Sequence, residues 1–359
     1  MEVLQKKEAI KFNNGYIIGI SFISALGGYL FGFDFAVISG ALPFLRTAFH
    51  LSSWWEGFLT GSLALGCIVC HGHDHGPPPG RNPQAKEAVP TMRATDIQFA
   101  GSIPELYDRY MVPLLFRPYA ELVAERAAAF QPKRILETAA GTGVVTEALH
   151  HALPDSEIVA TDLNPPMLEE AARRVGGDKV RFQAADALDL PFAEASFDLV
   201  VCQFGVMFFP DKVRGNAEAF RVLVTGGRYL LVVWDSIDRN LATKVAGRAV
   251  ADLFPDDPTA FYNRIPFRYF DTDEIKNDLR SAGFADIAVN TVELRSRAPS
   301  VREVAIALTQ ATPMRNEIEQ HGPHALAKAT DAAEIALRQF EGPDGFDAPM
   351  SAHVVTATK

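Results

Sequence analysis

The sequence predicts an α/β fold, a sheet of parallel strands with helices on both faces, preceded by a stretch with the character of one or two membrane-spanning helices. Three observations predict it. Apolar, strand-like runs alternate with helical patterns between residues 135 and 233, the pattern that builds βαβ units. The first such run enters a turn of very small side chains, Ala139-Ala140-Gly141-Thr142-Gly143, and a helical pattern opens at Val144. Upstream, residues 15–45 are almost free of charge and longer than the ~20 apolar residues a bilayer-spanning helix needs.

A strand, a turn that only tiny side chains permit and a helix N-terminus let a ligand approach backbone. The next strand-like run, Ile158-Val159-Ala160-Thr161-Asp162, ends on a carboxylate able to hold both hydroxyls of a ribose. Two nucleoside classes compete. The dinucleotide fingerprint asks for G-x-G-x-x-G, and the positions here read Ala139-Ala140-Gly141-Thr142-Gly143-Val144. Glu137, just before the turn, would repel a pyrophosphate and suits a ligand carrying an ammonium and a sulfonium. An NAD-dependent oxidoreductase is the alternative on the same sheet.

Leu136-Glu137, followed by Gly141-Thr142-Gly143, resembles the L-E-x-x-x-G-T-G loop of class I S-adenosylmethionine (SAM)-dependent methyltransferases, in particular the small-molecule, ubiquinone-biosynthesis-like branch. The resemblance continues in order through Ala185-Asp186-Ala187, Leu190-Pro191-Phe192, Phe197-Asp198-Leu199-Val200-Val201-Cys202 with Gln203-Phe204, and Gly226-Gly227 before Tyr229-Leu230-Leu231-Val232-Val233. It covers residues 95–359 and departs at Ala139, where many relatives carry Gly. It implies a Rossmann-like sheet of seven strands, the last antiparallel, with closing strands at 283–289 and 352–358 and lid helices at 103–130 and 299–341.

The same resemblance assigns roles. Glu137, Ala139 and the backbone of Gly141 and Gly143 would serve the methionine end of SAM, and Asp162 the ribose. Leu163 and Met167 would pack on adenine, and Asp186 with Ala187 would meet its amine. Gln203 would lie at the exit of the fourth strand, and Tyr107 and Tyr110 in a lid. For Asp162 the bland reading is an N-cap for a helix opening near Pro165; for Leu163, Met167 and the tyrosines it is core packing. Methyl transfer from a sulfonium is an in-line SN2 displacement that needs orientation and desolvation more than a metal, and no residue stands out as a catalytic base. Phe208, Phe209, Tyr262, Phe267 and Tyr269 suggest an aromatic-lined pocket for an apolar or planar small-molecule acceptor.

Composition narrows the partners. The net charge of −10 lies wholly outside residues 1–70, where Lys6, Lys7, Lys11 and Arg46 balance Glu2, Glu8, Asp34 and Glu56. An acidic catalytic region lacks the clustered Lys and Arg that nucleic acid requires. Three cysteines, Cys67, Cys70 and Cys202, make no disulfide framework and fit a reducing compartment.

The uncharged stretch is Gly-rich and holds one acid, Asp34; a second apolar run spans residues 57–70. Gly27-Gly28-Tyr29-Leu30-Phe31-Gly32-Phe33-Asp34, Val37-Ile38-Ser39-Gly40-Ala41-Leu42 and Trp55-Glu56-Gly57 resemble the start of a sugar porter of the major facilitator superfamily. The match ends near Val69. A transporter needs two bundles around a midplane site, so the resemblance implies a fragment without transport activity, joined near residue 70 in a chimeric reading frame. A membrane anchor and a signal peptide are the rival readings. Were it an anchor, two helices would leave the SAM-using domain in the cytoplasm. Cys67-Ile68-Val69-Cys70-His71, with His73 and His75, spells a haem-attachment pattern and offers zinc ligands. Residues 71–94, rich in His, Pro and Gly, read as a tether.

Overall fold

Central strands buried on both faces read as apolar runs, and Phe197–Gln203 contains such a run in Leu199-Val200-Val201-Cys202. In the structure, a computed structural model that describes residues 92–99 and 101–359, it is the fourth strand of one mixed sheet. The chain divides between Glu87 and Ala88. The porter-like stretch, the haem-like pattern and most of the tether lie outside the described residues. Among those described, no helix is long and apolar enough to cross a membrane.

In chain order the elements are α1 (Ile103–Leu106), a π-helix (Tyr107–Phe116), α2 (Arg117–Ala128), β1 (Arg134–Thr138), α3 (Val144–Ala152), β2 (Glu157–Asp162), α4 (Pro165–Arg174), β3 (Val180–Ala184), β4 (Phe197–Gln203), α5 (Lys212–Val222) and β5 (Leu223–Trp234). There follow α6 (Leu241–Ala251), α7 (Phe261–Arg264), α8 (Thr272–Ser281), β6 (Asp286–Ala298), α9 (Val301–Gln310), α10 (Met314–Glu319), α11 (Ala325–Leu337), β7 (Glu341–Gly342) and β8 (Gly345–Thr358). The sheet runs β3-β2-β1-β4-β5-β8-β6, with the two-residue β7 paired to β8. Strands β1 to β5 are parallel and β8 is antiparallel to both neighbours, as the sequence predicts. The strand order reverses between β1 and β4, and a crevice opens beyond their C-terminal ends.

Three boundaries differ from the sequence reading. The Gly226-Gly227 turn is a bulge within β5: pairing with β4 steps from Phe197↔Leu223 to Leu199↔Arg228, and Gly226 takes φ +78°. The closing strands are also longer than expected, pairing from Asp286↔Thr358 to Ala298↔Phe346. Pro349 disguised the first half of β8, since proline cannot donate to a ladder. It is tolerated because β5 stops opposite Ala352, leaving one side of β8 without a partner strand there. Finally, residues 92–94, assigned to the tether, belong to the folded domain: Met92 packs against the core and a 3-10 turn spans Ala94–Ile97.

Helices occupy both expected stretches, α9 to α11 in 299–341 and α1, the π-helix and α2 in 103–130, and α9 packs against the π-helix of the latter segment. Its centre is less regular than an α-helix. The backbone N–H of Arg117 reaches back five residues to the carbonyl of Val112, and this wide turn directs Tyr107 and Phe116 toward the sheet tips. There Phe116, Tyr119, Phe204 and Trp234 form one aromatic cluster, with Phe204 and Trp234 stacked at 3.9 Å.

Candidate active site

The turn after β1 is built on left-handed backbone. Ala139, Gly141 and Gly143 have φ of +54°, +57° and +80°, conformations that tiny side chains tolerate best. The loop is pinned at both ends: Ala140 N–H donates to the Thr161 carbonyl at 2.9 Å and Gly143 N–H to that of Ala140 at 3.0 Å. Asp162, at the end of β2, organises the rest. Its Oδ2 accepts from Gly141 N–H at 2.9 Å, and its Oδ1 accepts from the Asn164 backbone N–H at 2.8 Å and side-chain amide at 3.3 Å. Burial pushes this carboxyl above its ordinary range, and the donated hydrogen bonds act against that rise. The N-cap of α4 is Asn164, so Asp162 holds the turn instead of capping the helix.

A cavity of about 270 Å³ lies over this turn. Ala139, Gly141, Asp162, Leu163, Met167, Asp186, Ala187, Gln203 and Tyr107 all line it. Met167 is buried in its wall, whereas Leu163 is 53% exposed at its rim. Asp186 is exposed, with Oδ1 accepting from Leu188 N–H at 2.9 Å. Tyr107 stacks on Phe116 and meets Phe99 edge-on, and burial raises its hydroxyl far above the ordinary tyrosine value.

Two expected residues do not reach the cavity wall. Glu137 is 2% exposed and its Oε2 accepts from Thr146 Oγ1 at 2.6 Å. Burial raises its carboxyl to about 8, so near neutral pH it is mostly protonated. Gly143 serves packing: a Cβ there would stand 2.8 Å from that of Ala171, so its absence lets α3 and α4 approach. Tyr110 is likewise absent from the lining; its ring lies under the Arg109 guanidinium.

Sequence reasoning missed a whole wall. Met92, Ile97 and Phe99 line the cavity from the segment before the lid. Asp96 holds that segment down: its Oδ1 and Oδ2 accept from Arg264 at 2.5 and 3.0 Å, and Arg264 also pairs with Glu317. All three side chains are at most 5% exposed. Glu317 Oε2 further accepts the backbone N–H groups of Ala260 and Phe261. No local pattern marks these charges as buried. Asn164 and Gly205 also line the cavity; an asparagine before Pro165-Pro166 was the available signal for the first.

An apolar annex of about 50 Å³ adjoins the cavity and shares Phe99, Tyr107, Phe204 and Phe208 with it. Met111, Leu115, Phe116, Trp234, Tyr262 and Phe267 extend it. Of the expected aromatic group, Phe208 and Phe209 line the cavity and Tyr262 and Phe267 the annex, whereas Tyr269 points elsewhere and donates to Asp278. Among the described residues, the only charged side chains lining the cavity are Asp162 and Asp186. A site with acids and no lysine or arginine suits hydroxyls and cationic groups and disfavours a pyrophosphate.

Residues 135–227 match a family model described as a methyltransferase domain. Among curated proteins, the chain is similar to the demethylmenaquinone methyltransferase of Deinococcus radiodurans, 38% identical over 160 residues that cover 44% of this chain and 64% of that protein. It is also similar to the demethylmenaquinone methyltransferase of Thermus thermophilus, 42% identical over 118 residues, covering 32% and 52%. The chain therefore spans less than two thirds of the length of either. Among solved structures, the YcgJ protein of Bacillus subtilis shares 20% identity with a TM-score of 0.44, covering 66% of this chain and 98% of that one. The phosphoethanolamine N-methyltransferase 2 of Haemonchus contortus, solved with phosphomonomethylethanolamine and S-adenosylhomocysteine, shares 16% identity with a TM-score of 0.42, covering 72% and 60%.

Proposed function

We propose that this protein moves the methyl group of SAM to a planar, apolar small-molecule acceptor. The observation that carries the reading is the turn braced by Asp162, which opens at the reversal of strand order into a cavity with two carboxylates and, among the described residues, no basic side chain. SAM, when bound, supplies an electrophilic methyl on a sulfonium. Asp162 retains lone pairs for both ribose hydroxyls while its bonds to Gly141 and Asn164 fix its position. Met167 and Leu163 offer apolar surface to adenine, and Asp186 an acceptor for its amine. Tyr107 and Phe99 close the lid side and exclude water, which strengthens every electrostatic contact inside.

The annex is the acceptor's place in this reading, because it joins the cavity through shared aromatic walls. Among the described residues that line it there is no carboxylate, imidazole or amine. As the bond to the acceptor forms, the bond to sulfur breaks and leaves a thioether, and the proton that the acceptor sheds passes to water instead of to a side chain of the annex. The names of the two curated relatives, which specify demethylmenaquinone, agree with a flat apolar substrate.

Titration calorimetry of the full chain with S-adenosylhomocysteine tests this. The wild type should bind it in preference to NADH, and Asp162→Ala should weaken binding by roughly a hundredfold, about the worth of two hydrogen bonds to a charged group. A folded protein that ignores S-adenosylhomocysteine, or prefers NADH, overturns the proposal.

A further inference from the structure

We infer that the side-chain carbonyl of Gln203 reads the α-ammonium of the cofactor's amino-acid arm, the task the sequence reading gave to Glu137. This rests on the cavity being a SAM site.

Gln203 ends β4, is 9% exposed and lines the cavity. Its Nε2 donates to the Phe116 carbonyl at 3.2 Å. Turning the amide over would set oxygen against oxygen, so that bond fixes which atom faces the other way. The other atom, Oε1, is buried and has no hydrogen-bond partner, so a ligand reaches it with a small shift of the side chain toward the cavity that Gln203 lines. Such an acceptor is unfavourable unless a ligand completes it. The acids of the cavity differ: both oxygens of Asp162 and Oδ1 of Asp186 already accept from protein donors.

Position then selects the ligand group. The strand tips run in the order β3, β2, β1, β4. Asp186 follows β3, Asp162 ends β2 and Gln203 ends β4. The pairings Thr138↔Thr161 and Glu137↔Val201, carried on to the strand ends, set Asp162 and Gln203 on either side of Ala139. Two strand spacings separate them by about 10 Å. With adenine toward Asp186 and ribose at Asp162, the remaining arm extends toward Gln203. Oε1 can only accept, the arm's carboxylate can only accept, and a sulfonium carries no hydrogen to donate. The ammonium is the donor that remains. Glu137 cannot serve, since its carboxyl is engaged by Thr146 and does not line the cavity.

The test titrates the full chain with three ligands: S-adenosylhomocysteine, its analogue lacking only the α-amino group, and 5′-methylthioadenosine, which lacks the whole arm. Wild type should bind S-adenosylhomocysteine roughly ten- to a hundredfold more tightly than the des-amino analogue. In Gln203→Leu that gap should close, with 5′-methylthioadenosine bound as before. A gap that persists in Gln203→Leu overturns the assignment. So does an equal loss for all three ligands, which marks a purely structural role, or unchanged affinities with a raised acceptor KM. If Gln203→Leu does not fold, Glu137→Gln decides: an intact gap supports Gln203, and its disappearance returns the role to Glu137. A wild type that binds none of the three sinks the methyltransferase reading itself. One that binds all three equally sinks only the role of Gln203.

Discussion

Ala139 and Gly205 meet across the tips of β1 and β4, where a Cβ built on Gly205 would stand 2.4 Å from the Cβ of Ala139 and 2.9 Å from Cys202 Sγ. The two residues share one volume at the point where strand order reverses. Gly205→Ala should destabilise the fold by about 1–3 kcal/mol through overpacking. Ala139→Gly removes both the methyl group and the left-handed strain of alanine, and should stabilise by ~1 kcal/mol. The double variant should recover much of the loss. Urea denaturation of the four proteins measures the coupling, and strict additivity would show that the two sites do not touch.

Glu137→Gln should change how stability depends on pH. In the unfolded chain this carboxyl loses its proton near 4.5, whereas in the folded protein it keeps it to about 8. Between those values the folded state binds the extra proton, so each rise in pH favours unfolding, by up to a few kcal/mol in total. Glutamine removes that contribution while keeping a partner for Thr146 Oγ1. Stability measured from pH 5 to pH 8 should therefore fall less steeply in the variant. Parallel curves would mean that the native carboxyl is ionised throughout.

Asp96→Ala should release residues 92–99 from the cavity. Arg264 keeps Glu317 as a partner, so the rest of the lid stays paired. Limited proteolysis should then cut near residue 100 faster than in the wild type, and affinity for S-adenosylhomocysteine should drop roughly tenfold as Met92, Ile97 and Phe99 leave the wall. Arg264→Met is harsher: it leaves buried Asp96 without its cation and Glu317 with only the more distant Arg93, and should lose about 3–5 kcal/mol.

Phe208→Ala should separate the two ligands. Phe208 lines both the cavity and the annex and meets Phe99 edge-on at 6.0 Å. Loss of its ring should raise KM for a planar acceptor by about tenfold or more and move the affinity for S-adenosylhomocysteine far less. Equal effects on both would place the acceptor outside the annex.

What the sequence disclosed was local. The turn at Ala139, Gly141 and Gly143 is legible because left-handed backbone selects small residues, and Asp162 because it closes a strand. Glu137 is equally visible as an acid beside the turn. That Thr146, a turn into α3, folds back to occupy it depends on packing the sequence does not display. Asp96, Arg264 and Glu317 come from three distant segments, and in the sequence their charges look like any solvated ones. The second half of β6, Glu293 to Ala298, was hidden for a related reason: its ladder partners include Pro349, which reads as a strand breaker.

The triad of Asp96, Arg264 and Glu317 also bears on how molecules come and go. Three desolvated charges separate only together, so that flank behaves as a hinge pin more than a doorway. Leu163 and Asp186, by contrast, are exposed on the cavity's lining, and Asp186 Oδ1 accepts only from the Leu188 N–H of its own loop. Traffic into the chamber should pass along that margin, with the nucleobase last to settle and first to leave.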